Sequence, residues 1–99
     1  MVQAAKQVIE TNAEDPFFIF FSMNTPHCPY QGYAKWIKYY REKGVVHPRD
    51  LYAAFLTTQD EKIGALIGLL EANNLREDTI IIFQSDNGHS TETRAYHGG

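Results

Sequence analysis

Two apolar patterns alternate along the chain. In residues 2–11, VQAAKQVIET, Ala4, Ala5, Val8 and Ile9 fall at helical spacing and predict a helix. Asn12 to Pro16 end it, because a proline disfavours a helical residue before it. Phe17 to Asn24, FFIFFSMN, is apolar without alternation, which predicts a short strand covered on both faces. Residues 25–33, TPHCPYQGY, hold two prolines and a glycine and read as loop. From Ala34 to Lys43, Trp36, Ile37 and Tyr40 line one face of a short helix that Gly44 ends. Pro48 and Asp50 then introduce a long helix reaching about Asn74. Along it Tyr52, Phe55, Leu56, Ile63, Leu66, Ile67 and Leu70 recur at steps of three and four, with Asp60, Glu61, Lys62 and Glu71 off that face. Gly64 and Gly68, four apart, form a smooth patch on which a sheet can lie close. NNLRED turns the chain, Thr79 to Ser85 is a second continuous apolar strand, and Asp86 to Gly99 is polar loop.

Strand, helical connection, strand is a β-α-β pattern, and the lack of alternation fits a parallel sheet between helices. The expected fold class is α/β, a β-α-β piece of a larger mixed sheet flanked by helices. In such sheets ligands sit beyond the carboxyl ends of the strands. That geometry predicts that NTPHCPY and SDNGHS emerge at one edge, bringing His27 towards Asp86 and Asn87. Two strands do not make a stable sheet, and unpaired edges are costly to bury, so the 99 residues are expected to be part of a larger domain.

Composition narrows the partners. Hydrophobic content of 43% and charged content of 21% describe a globular chain. The net charge is −3 and the nine Lys and Arg are spread along the sequence, which argues against nucleic acid or an anionic membrane as the main partner. The longest apolar run, Phe17 to Phe21, is too short to span a bilayer. No secretory signal is visible after Met1. A single cysteine, Cys28, excludes an internal disulfide and a multi-cysteine zinc site.

The chemistry concentrates at two loops. Asp86 and Asn87 offer a carboxylate and an amide oxygen side by side, hard ligands that suit calcium or magnesium better than zinc or copper. Gly88 lets the backbone turn beside an ion. Asn-Gly after a strand is equally a hairpin signal, but HSTETRAY offers no alternating partner strand. His27 can hydrogen-bond an anionic substrate or exchange a proton near neutral pH; as a loop histidine it can equally just cap backbone groups. His47 reads as structural, and His89 and His97 have weaker claims on a substrate. Cys28 reads as a small packed residue, because a neighbouring histidine in an extended loop points its side chain away from the thiol. Tyr30, Tyr33, Trp36, Tyr39 and Tyr40 can stack on a sugar ring or pack as core.

PFFIFFSMNTPHCPY, followed by YAAFLTTQDEKIGALIGLLEANNLREDTIIIFQSDNGHS, resembles the middle part of the sulfatase family of the alkaline-phosphatase-like superfamily. The resemblance covers nearly the whole chain and makes residues 1–99 a partial catalytic domain, incomplete at both ends. It implies a partial alkaline-phosphatase-like fold, one calcium (or magnesium) ion, and sulfate-ester hydrolysis by a formylglycine nucleophile. By position, Asp86 and Asn87 look like two metal ligands, and His27 looks like the catalytic histidine that contacts the sulfate or the leaving oxygen. The substrate it implies is a sulfated small molecule or carbohydrate, in a parent protein that is exported. The C/S-x-P-x-R motif that yields formylglycine is absent: Cys28 begins CPYQG, with glycine where arginine is required. The family's first pair of metal aspartates is absent too, so the chain alone is expected to be inactive. Asn87, where phosphodiesterase-like relatives tend to carry histidine, favours a single hard ion and sulfate over phosphate esters. A phosphodiesterase or phosphonate hydrolase of the same superfamily, and a truncated inactive product, are the alternatives.

Overall fold

The computed structural model describes residues 2–12 and 14–88 and contains, among them, three helices and no strand. They are α1 (Val2–Thr11), α2 (Ala34–Glu42) and α3 (Arg49–Ala72). The chain divides into two compact units, one of residues 1–23 and 61–82, the other of residues 24–60 and 83–99. None of the helices is long and apolar enough to cross a membrane.

In the first unit, Ala5 and Ile9 form the buried stripe of α1, one turn apart, and Leu70 of α3 is buried. Lys6 and Glu10 pair across one turn of the exposed face at 3.6 Å. Asn12 closes α1 by donating both its backbone N–H and its side-chain Nδ2 to the carbonyl of Val8, at 3.1 and 2.8 Å. Helix α3 ends in a Schellman motif: Asn74 N–H donates to Glu71 O and Leu75 N–H to Leu70 O. The motif requires a left-handed residue, and Asn74 supplies it at φ 56°.

In the second unit α2 stops the same way. Gly44, at φ 79°, donates to Arg41 O while Val45 N–H donates to Tyr40 O. The α3 residues of this unit bury Ala54 and Thr58 almost completely, with Gln59 beside them. The face inward from α3 is therefore partly polar, and Leu56, expected on the apolar stripe, is 40% exposed.

The expected β-α-β arrangement is not present. Phe17–Phe21 and Ile80–Phe83 run without regular structure, and no ladder of backbone hydrogen bonds joins them to each other or to another segment. Phe18 and Ile80 are each 89% exposed. An apolar run states what a segment would gain by burial, but a strand exists only through hydrogen bonds to a neighbour. The described residues supply no such neighbour. The smooth glycine patch is likewise unused: a Cβ at Gly64 or Gly68 would meet nothing within 4 Å.

Candidate functional site

The loop that carries His27 is fastened to α3 within the second unit. At its start Thr25 Oγ1 donates to Gln59 Oε1 at 3.1 Å. At its end Tyr33 N–H donates to Thr58 Oγ1 at 2.8 Å, and that hydroxyl donates onward to Ala54 O at 2.7 Å. Between them Gly32 lies against the helix backbone, where a Cβ would stand 2.6 Å from the Ala54 carbonyl carbon and 2.8 Å from Phe55 N. The Tyr30 ring packs edge-on to Tyr52 at 5.6 Å and tilts against Phe55 at 6.3 Å. The polar triplet Thr57-Thr58-Gln59 is thus a positioning element that pattern reading passes over. Its trace in the sequence is three uncharged polar residues in succession inside an apolar helix. Thr57 completes it, since its hydroxyl donates to Ala53 O at 2.9 Å and so accepts from Tyr40 OH at 2.7 Å.

His27 is held in a tight turn by its own N–H donating to Asn24 O at 2.9 Å, and its side chain is exposed. Its Nδ1 lies 2.8 Å from the carbonyl oxygen of Cys28. A carbonyl only accepts, so Nδ1 carries the proton of that bond, and Nε2 is left as the atom that can take or give a proton.

Asp86 and Asn87 are both exposed. Asn87 Nδ2 donates to Asp86 Oδ2 at 2.9 Å, and Ser85 Oγ donates to the Asn87 carbonyl at 2.6 Å. One of the two amide hydrogens is spent on Asp86 Oδ2, so the two side chains keep the other carboxylate oxygen and the amide oxygen for an outside ligand. That donor set has the chemistry of a hard cation site, and the two neighbouring oxygens fit as a share of one. They do not complete it: calcium takes six to eight oxygens, and the described residues hold no cluster of three or more His, Cys, Asp or Glu able to grip a metal. No hydrogen bond joins His27 to Asp86 or Asn87. The sheet edge expected to bring them together is absent with the sheet. His89 and His97 lie outside the described residues.

Cys28 is exposed and unbonded to any other cysteine, so it is not the packed residue that its sequence context suggests. His47 has a structural place, with Nδ1 3.3 Å from Asp50 Oδ1. Asp50, in the first turn of α3, is 1% exposed and receives Arg41 Nε at 2.7 Å on Oδ2. Burial pushes the Asp50 carboxyl's pKa up. Together the hydrogen bond from Arg41, a backbone hydrogen bond from Leu51 and the charges of Arg41 and His47 outweigh it and hold the group below its ordinary value. This carboxylate joins the end of α2 to the start of α3.

The family described as Sulfatase matches residues 1–99. The chain belongs to the sulfatase family. Among curated sulfatases it is 31% identical to the ulvan-active sulfatase of Formosa agariphila, over 89% of this chain and 20% of that protein. It is 31% identical to the N-acetylgalactosamine-6-O-sulfatase of Bacteroides thetaiotaomicron, over 85% of this chain and 15% of that protein. Arylsulfatase J of Mus musculus is 30% identical over 87% of this chain and 14% of its own length. The chain therefore spans about a fifth or less of these sulfatases. No solved structure matches it.

Proposed function

We propose that the protein carrying this sulfatase segment hydrolyses sulfate esters, with sulfated carbohydrate as its substrate class. The observation that supports this most is the match of all 99 residues to the sulfatase family. Relatives named for ulvan and for N-acetylgalactosamine extend it to carbohydrate. In this reading Asp86 and Asn87 are two of the ligands of one divalent ion, calcium or magnesium. Such an ion offsets negative charge on the sulfate oxygens. The adjacent amide suits it, because Asn87 adds an oxygen donor without adding a second charge.

His27 acts at the sulfate or at the leaving oxygen. With Nδ1 bonded to the Cys28 carbonyl, Nε2 presents either a lone pair or a proton to the substrate. When protonated it delivers that proton to the departing alkoxide, so that the alcohol leaves neutral and His27 is left uncharged. The nucleophile, a formylglycine by family, belongs to the whole protein, because these 99 residues contain no C/S-x-P-x-R motif.

The test is metal content and chelation of the complete protein. One calcium or magnesium per molecule, with loss of sulfate release on chelation and its return on adding the ion, is the expected result. Two tightly held zinc ions, with faster turnover of a phosphodiester than of a sulfate ester, would replace this reading with that of a phosphoester hydrolase.

A further inference from the structure

Helix α2 carries charge and aromatic rings in a way the rest of the chain does not. Residues 33–43, YAKWIKYYREK, hold four of the nine basic residues and one of the twelve acidic ones. This short segment has an excess of three positive charges in a chain whose net charge is −3. No residue of α2 is buried. Lys35, Tyr39 and Lys43 follow at four-residue steps and so share one face, with Trp36 alongside. Their side chains interleave: Lys35 Nζ lies 5.2 Å from the centre of the Trp36 ring and 5.8 Å from that of Tyr33, and Lys43 Nζ lies 5.6 Å from that of Tyr39. Trp36 and Tyr39 meet edge-to-face at 5.8 Å. Tyr33 and Tyr39 are each nearly half exposed.

From this we infer that the Lys35–Trp36–Tyr39–Lys43 face of α2 is a binding surface for sulfated carbohydrate, separate from the His27 and Asp86-Asn87 loops. The inference rests on the hydrolase reading for its substrate class and on α2 for its place. Aromatic faces pack against the C–H faces of sugar rings, while ammonium groups between them meet the sulfates. From Lys35 to Lys43 the helix rises about 12 Å, the reach of a short oligosaccharide. Nucleic acid uses the same two chemistries, stacking and cationic contacts. Outside residues 33–43, however, the chain has an excess of six negative charges, which opposes a long polyanion extending past this helix.

Trp36 is the only tryptophan of the chain, so its fluorescence reports on this face alone. The 99-residue chain is titrated with dextran sulfate oligosaccharides short enough to lie on α2, with unsulfated dextran of the same length and with a single-stranded oligonucleotide of matched charge. A saturable Trp36 response to dextran sulfate is expected, at least about tenfold tighter than to either control and weakened by added salt. Tyr39→Ala and the pair Lys35→Gln/Lys43→Gln should each weaken it by about 3- to 10-fold at unchanged helix content by circular dichroism. Equal affinity for dextran and dextran sulfate, tighter binding of the oligonucleotide, or variants that bind as the parent does would each overturn the inference. Sulfate release by the complete protein separates the two readings. Release without any Trp36 response overturns the surface and leaves the hydrolase standing. A response in a protein that releases no sulfate removes the hydrolase and supports the surface as a binding site for sulfated carbohydrate.

Discussion

Replacing Gly32 by alanine tests how the His27 loop is held. The new methyl group would stand 2.6 Å from the Ala54 carbonyl carbon, 2.8 Å from Phe55 N and 2.9 Å from Ala54 Cβ. Unstrained carbon contacts lie at about 3.5–4.0 Å, so the loop and helix must separate by about 1 Å. Two of these three atoms are backbone and the third is the Cβ of the fully buried Ala54, which no side-chain rotation moves, so nothing can swing away to make room. Overpacking of this kind costs about 1–3 kcal/mol. The displacement also stretches the adjacent Tyr33 N–H to Thr58 Oγ1 bond, now 2.8 Å, worth about 1 kcal/mol. Against these, alanine stiffens the unfolded chain by about 0.4–1 kcal/mol. The net local destabilisation is about 1–3.5 kcal/mol, which corresponds to exchange of the Tyr33 amide hydrogen about 5- to 300-fold faster. Hydrogen–deuterium exchange at Tyr33 measures it. Gly64→Ala is the control: nothing lies within 4 Å, and mid-helix alanine should stabilise by up to about 1 kcal/mol. Tyr33 exchange within about twofold of the parent in Gly32→Ala would refute the close approach.

Three further outcomes follow from the same contacts. Thr58→Val removes the acceptor of Tyr33 N–H and should cost about 1–3 kcal/mol at the loop, read by the same amide. Asp50 has a folded pKa below its ordinary value, so its contribution is fully present above the unfolded carboxylate pKa of about 3.9 and is lost as pH falls through the lower folded value. Arg41 is 60% exposed, which limits that contribution to about 1–2 kcal/mol; Asp50→Ala should remove it at neutral pH and flatten the acid limb of an amide-exchange profile across α2 and α3. Phe18→Lys and Ile82→Lys, at positions 89% and 80% exposed, should change stability by no more than about 0.5 kcal/mol and reduce aggregation, whereas buried strands would unfold.

The helices were legible because each carries its own signals. The periodic apolar residues predict α1 over its observed span, and Gly44 marks the end of α2 because only a left-handed residue closes its Schellman motif. Pro48 and Asp50 mark the start of α3. The strands were not legible in the same sense. FFIFF and TIIIF are apolar enough for burial, but pairing depends on a neighbour that no local pattern specifies. The inward face of α3 misled the reading for a different reason. Periodicity weighs apolar residues, whereas Thr58 and Gln59 are buried because they hydrogen-bond the loop. Similarly, Gly64 and Gly68 suggested a close contact that the structure places instead at Gly32, a loop glycine with no periodic signal. The residue types of the candidate site, Pro26-His27 and Asp86-Asn87-Gly88, were readable as chemistry. The expectation that they converge rests on a sheet edge that the described residues do not form, so it loses that support.

Sulfate release from a sulfated oligosaccharide by the complete protein, followed by ion chromatography for the parent and for His27→Ala and Asp86→Ala, tests the central reading most directly. Steady release by the parent, reduced at least about 100-fold in both variants, is the expected result. Release that persists unchanged in both variants, or no release by a metal-loaded parent, would contradict it.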